Sequence, residues 1–190
     1  AAAAIIPDRE KQADAFAAIA EIQVRRGDKE DAQNPLERLL DGLDDVGDVL
    51  KQIAIRTRAA VIYTKAGARD LAELELEIAE RSARALPQDS SKSAGIRHVA
   101  SALADMEETA RALEMLESVS SPSDRIPVLM SAAEAQARAG DAASALATAE
   151  GIENVRYRAV LLGRCRGHSV PLLHDTSHRV SSGATHRSGR

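Results

Sequence analysis

Aromatic side chains are nearly missing from this 190-residue chain: they make up 2%, as one Phe, two Tyr and no Trp. Large rings therefore cannot anchor the core, although 44% of the residues are hydrophobic. A single cysteine, Cys165, excludes an internal disulfide. No apolar run approaches the roughly 20 residues that span a bilayer. Glycine loops that cradle phosphate, the H-E-x-x-H zinc motif and the G-x-S-x-G nucleophile turn are all absent. Positive charge is scarce where it would matter for nucleic acid. The formal net charge is −4, and from Arg164 onward five Arg stand against one Asp, which leaves −8 on residues 1–163. A body of that sign argues against phosphate backbones, which need a positive surface.

Alanine fills the gap. It is the strongest helix former and the smallest useful core residue, so helices packed through it approach closely. The stretch AEAQARAGDAASALATAEGI, residues 133–152, is built almost wholly from small side chains around one Gly-Asp pair. It buries too little to fold alone and needs neighbours of its own kind. Those neighbours are legible as a repeat. With Gly27, Gly67, Glu107 and Gly140 as anchors, Ala stands seven residues before each (Ala20, Ala60, Ala100, Ala133) and five after each (Ala32, Ala72, Ala112, Ala145). Nine after stand Leu36, Leu76, Leu116 and Ala149, and twelve after stand Leu39, Ala79, Val119 and Ile152. Eight before are Ile19, Ala59, Val99 and Ala132; four before are Gln23, Tyr63, Leu103 and Gln136. The anchors lie 40, 40 and 33 residues apart.

Each copy reads as two helices, because the offsets before the anchor share one helical face and the offsets after it share another. Gly at the anchor ends the first helix in the left-handed conformation. Asp28 and Asp141 are placed to cap the second helix. Glu107 must make its turn without the usual residue. Pro35 falls inside the second helix of the first copy and predicts a kink there, the alternative being a fresh helix start with Asn34 as cap. PQDSSKS (87–93) and SSPSD (120–124) read as links, with Pro127 in the first turn of the next helix. Residues 157–162, in NVRYRAVLLGR, read as a terminal helix that covers the last exposed face, as repeat arrays require.

Gln23-x-x-x-Gly27, with Ala20 before and Ala32, Leu36 and Leu39 after, resembles the tetratricopeptide repeat, and the later copies keep that register over residues 10–163. The chain departs from the family at the large aromatic near the repeat start, where it has Phe16, Arg56, Ile96 and Leu129. The family's terminal Pro is also missing, and two spacings exceed its usual length of about 34. The resemblance implies a stack of helical hairpins whose first helices line a concave, peptide-binding groove. On that face, two residues before the anchors, stand Arg25, Lys65, Asp105 and Arg138; six before stand Glu21, Val61, Ser101 and Glu134. Three cations at equivalent positions, about 8–10 Å apart, form a shallow basic row suited to an acidic or carboxylate-ended peptide. The competing reading is that Lys and Arg near a helix C-terminus merely complement its dipole.

Other candidate chemistry is thin. Cys165, His168, His174 and His178 are zinc-ligand types, but C-x2-H-x5-H-x3-H matches no closed zinc module. Asp41, Asp44, Asp45 and Asp48 lack the calcium-loop pattern and read as a turn with capping aspartates. His98 is alone on its helix and reads as a packing residue. The expectation is an all-α solenoid of about four helix-turn-helix hairpins plus a C-terminal capping helix over residues 8–165. Residues 1–7 are read as an N-terminal extension and 166–190 as a disordered tail. It is expected to be non-catalytic, with no cofactor and no metal, and to bind a protein or peptide partner. The alternatives are a homo-oligomer stacked through its open ends, or an accessory domain of a larger enzyme. The AAAAIIP start is equally compatible with a removed signal peptide, so the cytoplasm and a bacterial periplasm both stay open.

Overall fold

Asp8 starts the first helix: its carboxylate accepts from the N–H groups of Glu10 and Lys11, two of the donors a helix leaves unpaired at its N-terminus. The computed structural model describes residues 2–87 and 90–168, and among these are nine α-helices and no strand. They are α1 (Arg9–Arg26), α2 (Gln33–Asp41), α3 (Val49–Ala66), α4 (Arg69–Ala85), α5 (Ser90–Asp105), α6 (Thr109–Leu116), α7 (Pro122–Arg138), α8 (Ala142–Glu150) and α9 (Val155–His168). Each odd-numbered helix packs on the even one that follows it, making four hairpins, and also on the next odd-numbered helix. Consecutive even-numbered helices share no extended packing, and α4 and α6 meet through the Arg111 side chain, which reaches Glu73 and Glu80. The first helices therefore form a continuous inner layer with the second helices splayed outside it, and α9 closes the C-terminal end against α7 and α8.

The four anchors make the four hairpin turns. Gly27, Gly67 and Gly140 have φ of 90°, 90° and 84°, and Glu107 is the one non-glycine residue with positive φ among the described residues, at 69°. In every copy the anchor N–H donates to the carbonyl three residues back, and the next N–H donates to the carbonyl four residues before the anchor. In the third copy these are Glu107 to Ala104 (3.1 Å) and Glu108 to Leu103 (2.9 Å). This paired closure satisfies carbonyls that the helix end would otherwise strand. Glu107 makes it despite its Cβ.

Between the layers lies the alanine core. All eight alanines at the two fixed offsets are buried, and so are Leu36, Leu76, Leu116, Ala149, Leu39, Ala79, Val119 and Ile152. Small side chains lower the burial per residue, but they allow close contact wherever two helices run side by side. The first turn of the chain joins this core. Residues Ala2–Ile5 form a 3₁₀ turn with Ala3 buried, and the Gln12 side chain donates to the carbonyls of Ala3, Ala4 and Ile6. Forty residues on, Leu43–Asp45 form the same turn, Leu43 is buried, and Gln52 donates to the Val46 carbonyl at 2.6 Å. Residues 2–8 thus repeat the geometry of residues 42–48, and Asp8 and Asp48 are equivalent caps.

Several local expectations are corrected. Helix α2 is not kinked; it starts afresh at Gln33 with Pro35 third in its first turn. Pro35 has no N–H to give and sits at least cost in a first turn, where none is needed. Ala32 holds the capping position with no side-chain bond, and neither Asp28 nor Asn34 caps. Asp141 does cap α8, accepting from the Ser144 N–H. Ser90–Ser93 belong to α5 rather than to a link. Pro122 takes the first position of α7, Ser121 caps it, and Pro127 lies one turn deeper than expected. Cover at the C-terminal end comes from buried Leu161, with Leu162 and Cys165 packed against the core, while Tyr157 is exposed. The 166–190 tail lies outside the described residues, apart from the backbone of residues 166–168 in α9.

Candidate binding face

Each first helix ends at its anchor, so its last-turn side chain two residues earlier is presented at the same edge of every hairpin. At that edge the protein gathers Lys65, Asp105 and Arg138 from α3, α5 and α7. Loss of solvation raises the Asp105 carboxyl above its ordinary range, and the neighbouring Lys65 and Arg138 cations and the Ser131 hydroxyl pull it back down. Glu134 adds a smaller push upward. Asp105 therefore does not divide the row; the two cations close around it. Among the described residues neither Lys65 nor Arg138 makes an ion pair. Arg25 does not join them. Its Nε donates to the Glu21 carbonyl of its own helix at 3.3 Å, which places it as a helix-end charge.

The positions six residues before the anchors have a different role. Glu21 receives Arg58 of α3 at 3.0 Å, and the same guanidinium reaches Asp14. Glu134 receives Arg164 of α9 at 2.9 Å. Both ends of the array thus carry a carboxylate clipped to an Arg on the following first helix. In between, the same position holds Val61 and Ser101, both half-buried. Arg58, His98 and Ser131 stand nine residues before their anchors, and Arg164 continues that register thirty-three residues later. Reading along a single copy does not reveal these partners. The signal lay across copies, in a charge nine before one anchor opposing a charge six before the previous one.

The remaining candidates are accounted for locally. Asp48 caps α3, and Asp45 pairs with Arg9 at 3.3 Å. His98 is half-buried, and burial followed by the Arg97 charge holds its imidazole below the ordinary range. Of the proposed zinc set, Cys165 packs against α7, with its Sγ 3.9 Å from the Ala133 carbonyl. Burial and Glu134 push its thiol upward. The His168 side chain, His174 and His178 lie outside the described residues, and no metal-holding group of three or more ligands occurs among those described. No described helix is long and apolar enough to cross a membrane. A concavity of about 620 Å³ lies between α4, α5 and α6, floored by Ile96, Leu103 and Met115. Of the charges on its rim, Arg84 pairs with Glu80, and Arg111 pairs with Glu73, Glu80 and Glu108. No family model, curated protein or solved structure matches the chain.

Proposed function

We propose that this chain is a tetratricopeptide-like, non-catalytic scaffold that receives an acidic protein or peptide segment on the inner layer of first helices. The observation that carries the reading is the Lys65–Asp105–Arg138 group. Two cations from hairpins 40 and 33 residues away from the middle one flank Asp105, and neither makes an ion pair among the described residues. A ligand carboxylate entering there exchanges water for charge-assisted hydrogen bonds. The surrounding acidic body disfavours long polyanions and favours a short anionic segment that touches only this patch. Arg25, Glu21 and Glu134 are left out of the site, since each is held within the array.

The test is binding of acidic peptides from a library, including free C-terminal carboxylates, to wild type and to a Lys65→Glu/Arg138→Glu variant. Wild type should bind, with affinity falling as salt rises, because exposed charges are screened within about 8 Å at physiological ionic strength. The variant should keep its helicity and lose binding. Equal affinity in the two proteins would return both residues to helix-end roles.

A further inference from the structure

We propose that two copies of this chain pair through the outer face of α4, as an antiparallel two-fold dimer. The inference comes from comparing the same offsets across the four hairpins. Four, seven and eleven residues after Gly67 stand Leu71, Leu74 and Ile78, which a helix gathers into one stripe. At those offsets the other copies have Asp31, Asn34 and Arg38, then Arg111, Glu114 and Ser118, then Ser144, Ala147 and Gly151. The register therefore carries polar or small residues here in every hairpin but the second. Ala72, Leu76, Ala79 and Ala83 turn the other side of α4 into the core. Leu71 and Leu74 are left 40% and 50% exposed, and Ile78 is half-buried. The stripe lies in the middle of the array and on its outer layer, so it stands independently of the inner-layer function proposed above.

The occupant that fits is a second α4, because the charges beside the stripe are self-complementary. Asp70 and Arg81 are exposed, flank the stripe on the same side, and lie eleven residues, about three turns, apart. Among the described residues neither makes an ion pair, although Glu77 stands one turn before Arg81. In an antiparallel pair Asp70 of each copy meets Arg81 of the other, so the contact forms twice. The same alignment brings Leu71 and Leu74 of one helix within two residues of level with Ile78 of the other. Apolar and charged contacts thus demand one register. A parallel pair would set Asp70 against Asp70 and Arg81 against Arg81. Glu77, the remaining charge on this flank, falls between the two ion pairs and one turn from Arg81 of its own chain. Contact of one patch with itself is isologous and closes at two copies.

Light scattering and sedimentation of the full chain over a concentration series test this. Mass should rise from the 20.2 kDa monomer to twice that value and stop. Leu74→Glu should keep its helicity and stay monomeric, with Leu74→Ser taking its place if helicity is lost. Asp70→Arg and Arg81→Asp should each weaken self-association by about tenfold or more, since each sets like charges against one another. Mixed in equal amounts, these two variants should form a heterodimer, and the Asp70→Arg/Arg81→Asp double variant should pair like wild type. A wild type that stays monomeric or grows past two copies, or a Leu74 variant that still pairs, would overturn the proposal. So would charge variants that fail to cross-pair or to recover in the double exchange.

Discussion

Arg56 Nη1 lies 2.5 Å from Glu75 Oε2 across the α3–α4 contact, at the position where the other copies place Phe16, Ile96 and Leu129. Their side chains are only 17% and 11% exposed, so this is an ion pair inside the hairpin rather than a surface contact. One copy has exchanged its large apolar anchor for two opposite charges. Such a pair gives little net stability over an apolar equivalent, because desolvation offsets the attraction, but removing one member strands the other.

Arg56→Ala, which leaves the Glu75 carboxylate buried without this cation, should therefore cost about 3–5 kcal/mol in urea unfolding, and Glu75→Ala less, since Arg56 keeps a further partner. An Arg56→Leu/Glu75→Leu double variant should lie near wild type or above it. Additive losses in the double variant would mean the two charges act independently.

Glu107 offers a gain. A non-glycine residue held in the left-handed region costs roughly 1–2 kcal/mol, part of which Gly returns as lost chain entropy. Glu107→Gly should raise stability by about 0.5–1 kcal/mol on that balance. Gly67→Ala should lower it by a similar amount through backbone strain alone, since an added Cβ there meets nothing within 4 Å. The shift in denaturation midpoint, at unchanged slope, measures both.

Ala137 is fully packed, at 2% exposure, although helical phase alone places it on the open face. It follows Ala133 and Glu134, which α9 contacts through Cys165 and Arg164, by one turn. Ala137→Leu should then destabilise by roughly 1–3 kcal/mol, as Ala133→Leu should, because an overpacked core forces side chains off their rotamers. A chain cut before Asn154 should tolerate Leu at 137 better than at 133. Thermal melts of the four proteins separate the two cases.

The pH dependence of Asp105 has a definite sign. Its carboxyl is raised above 3.8 in the folded protein, chiefly by lost solvation, so the folded state binds the proton more tightly than the unfolded state. The favourable contribution is complete below 3.8 and is lost as pH rises through the folded value. Asp105→Asn should thus be more stable than wild type at pH 7, and the difference should vanish as pH falls below about 3.8. A variant less stable than wild type at pH 7 would show that the carboxylate's attraction to Lys65 and Arg138 outweighs its desolvation.

The hairpin architecture was readable because it rests on local chemistry. Alanine at two fixed offsets and a left-handed anchor specify the turn and both inward faces without any long-range information. Even Glu107 falls in register with the three glycines. What escaped were features decided between copies. The ties of Glu21 to Arg58 and of Glu134 to Arg164 depend on how one hairpin sits on the next. The start of α2 was missed for a nearer reason: the register of Leu36 and Leu39 survives whether Pro35 bends a helix or begins one. Only the backbone donor count decides between them.

Helix α4 has 17 residues where the other second helices have nine, eight and nine. At 1.5 Å per residue it is about 25 Å long, nearly matching the 18-residue α3 beside it. Cohesion in this array is consequently graded rather than uniform, with one hairpin joined along its full length and the others along half of theirs. Pulled by its two termini, the chain would surrender its flanking turns first and keep the α3–α4 pair as the last clasp. A protease acting on rare openings would leave the same remnant, since stacked hairpins open as nearly independent units coupled only to their neighbours.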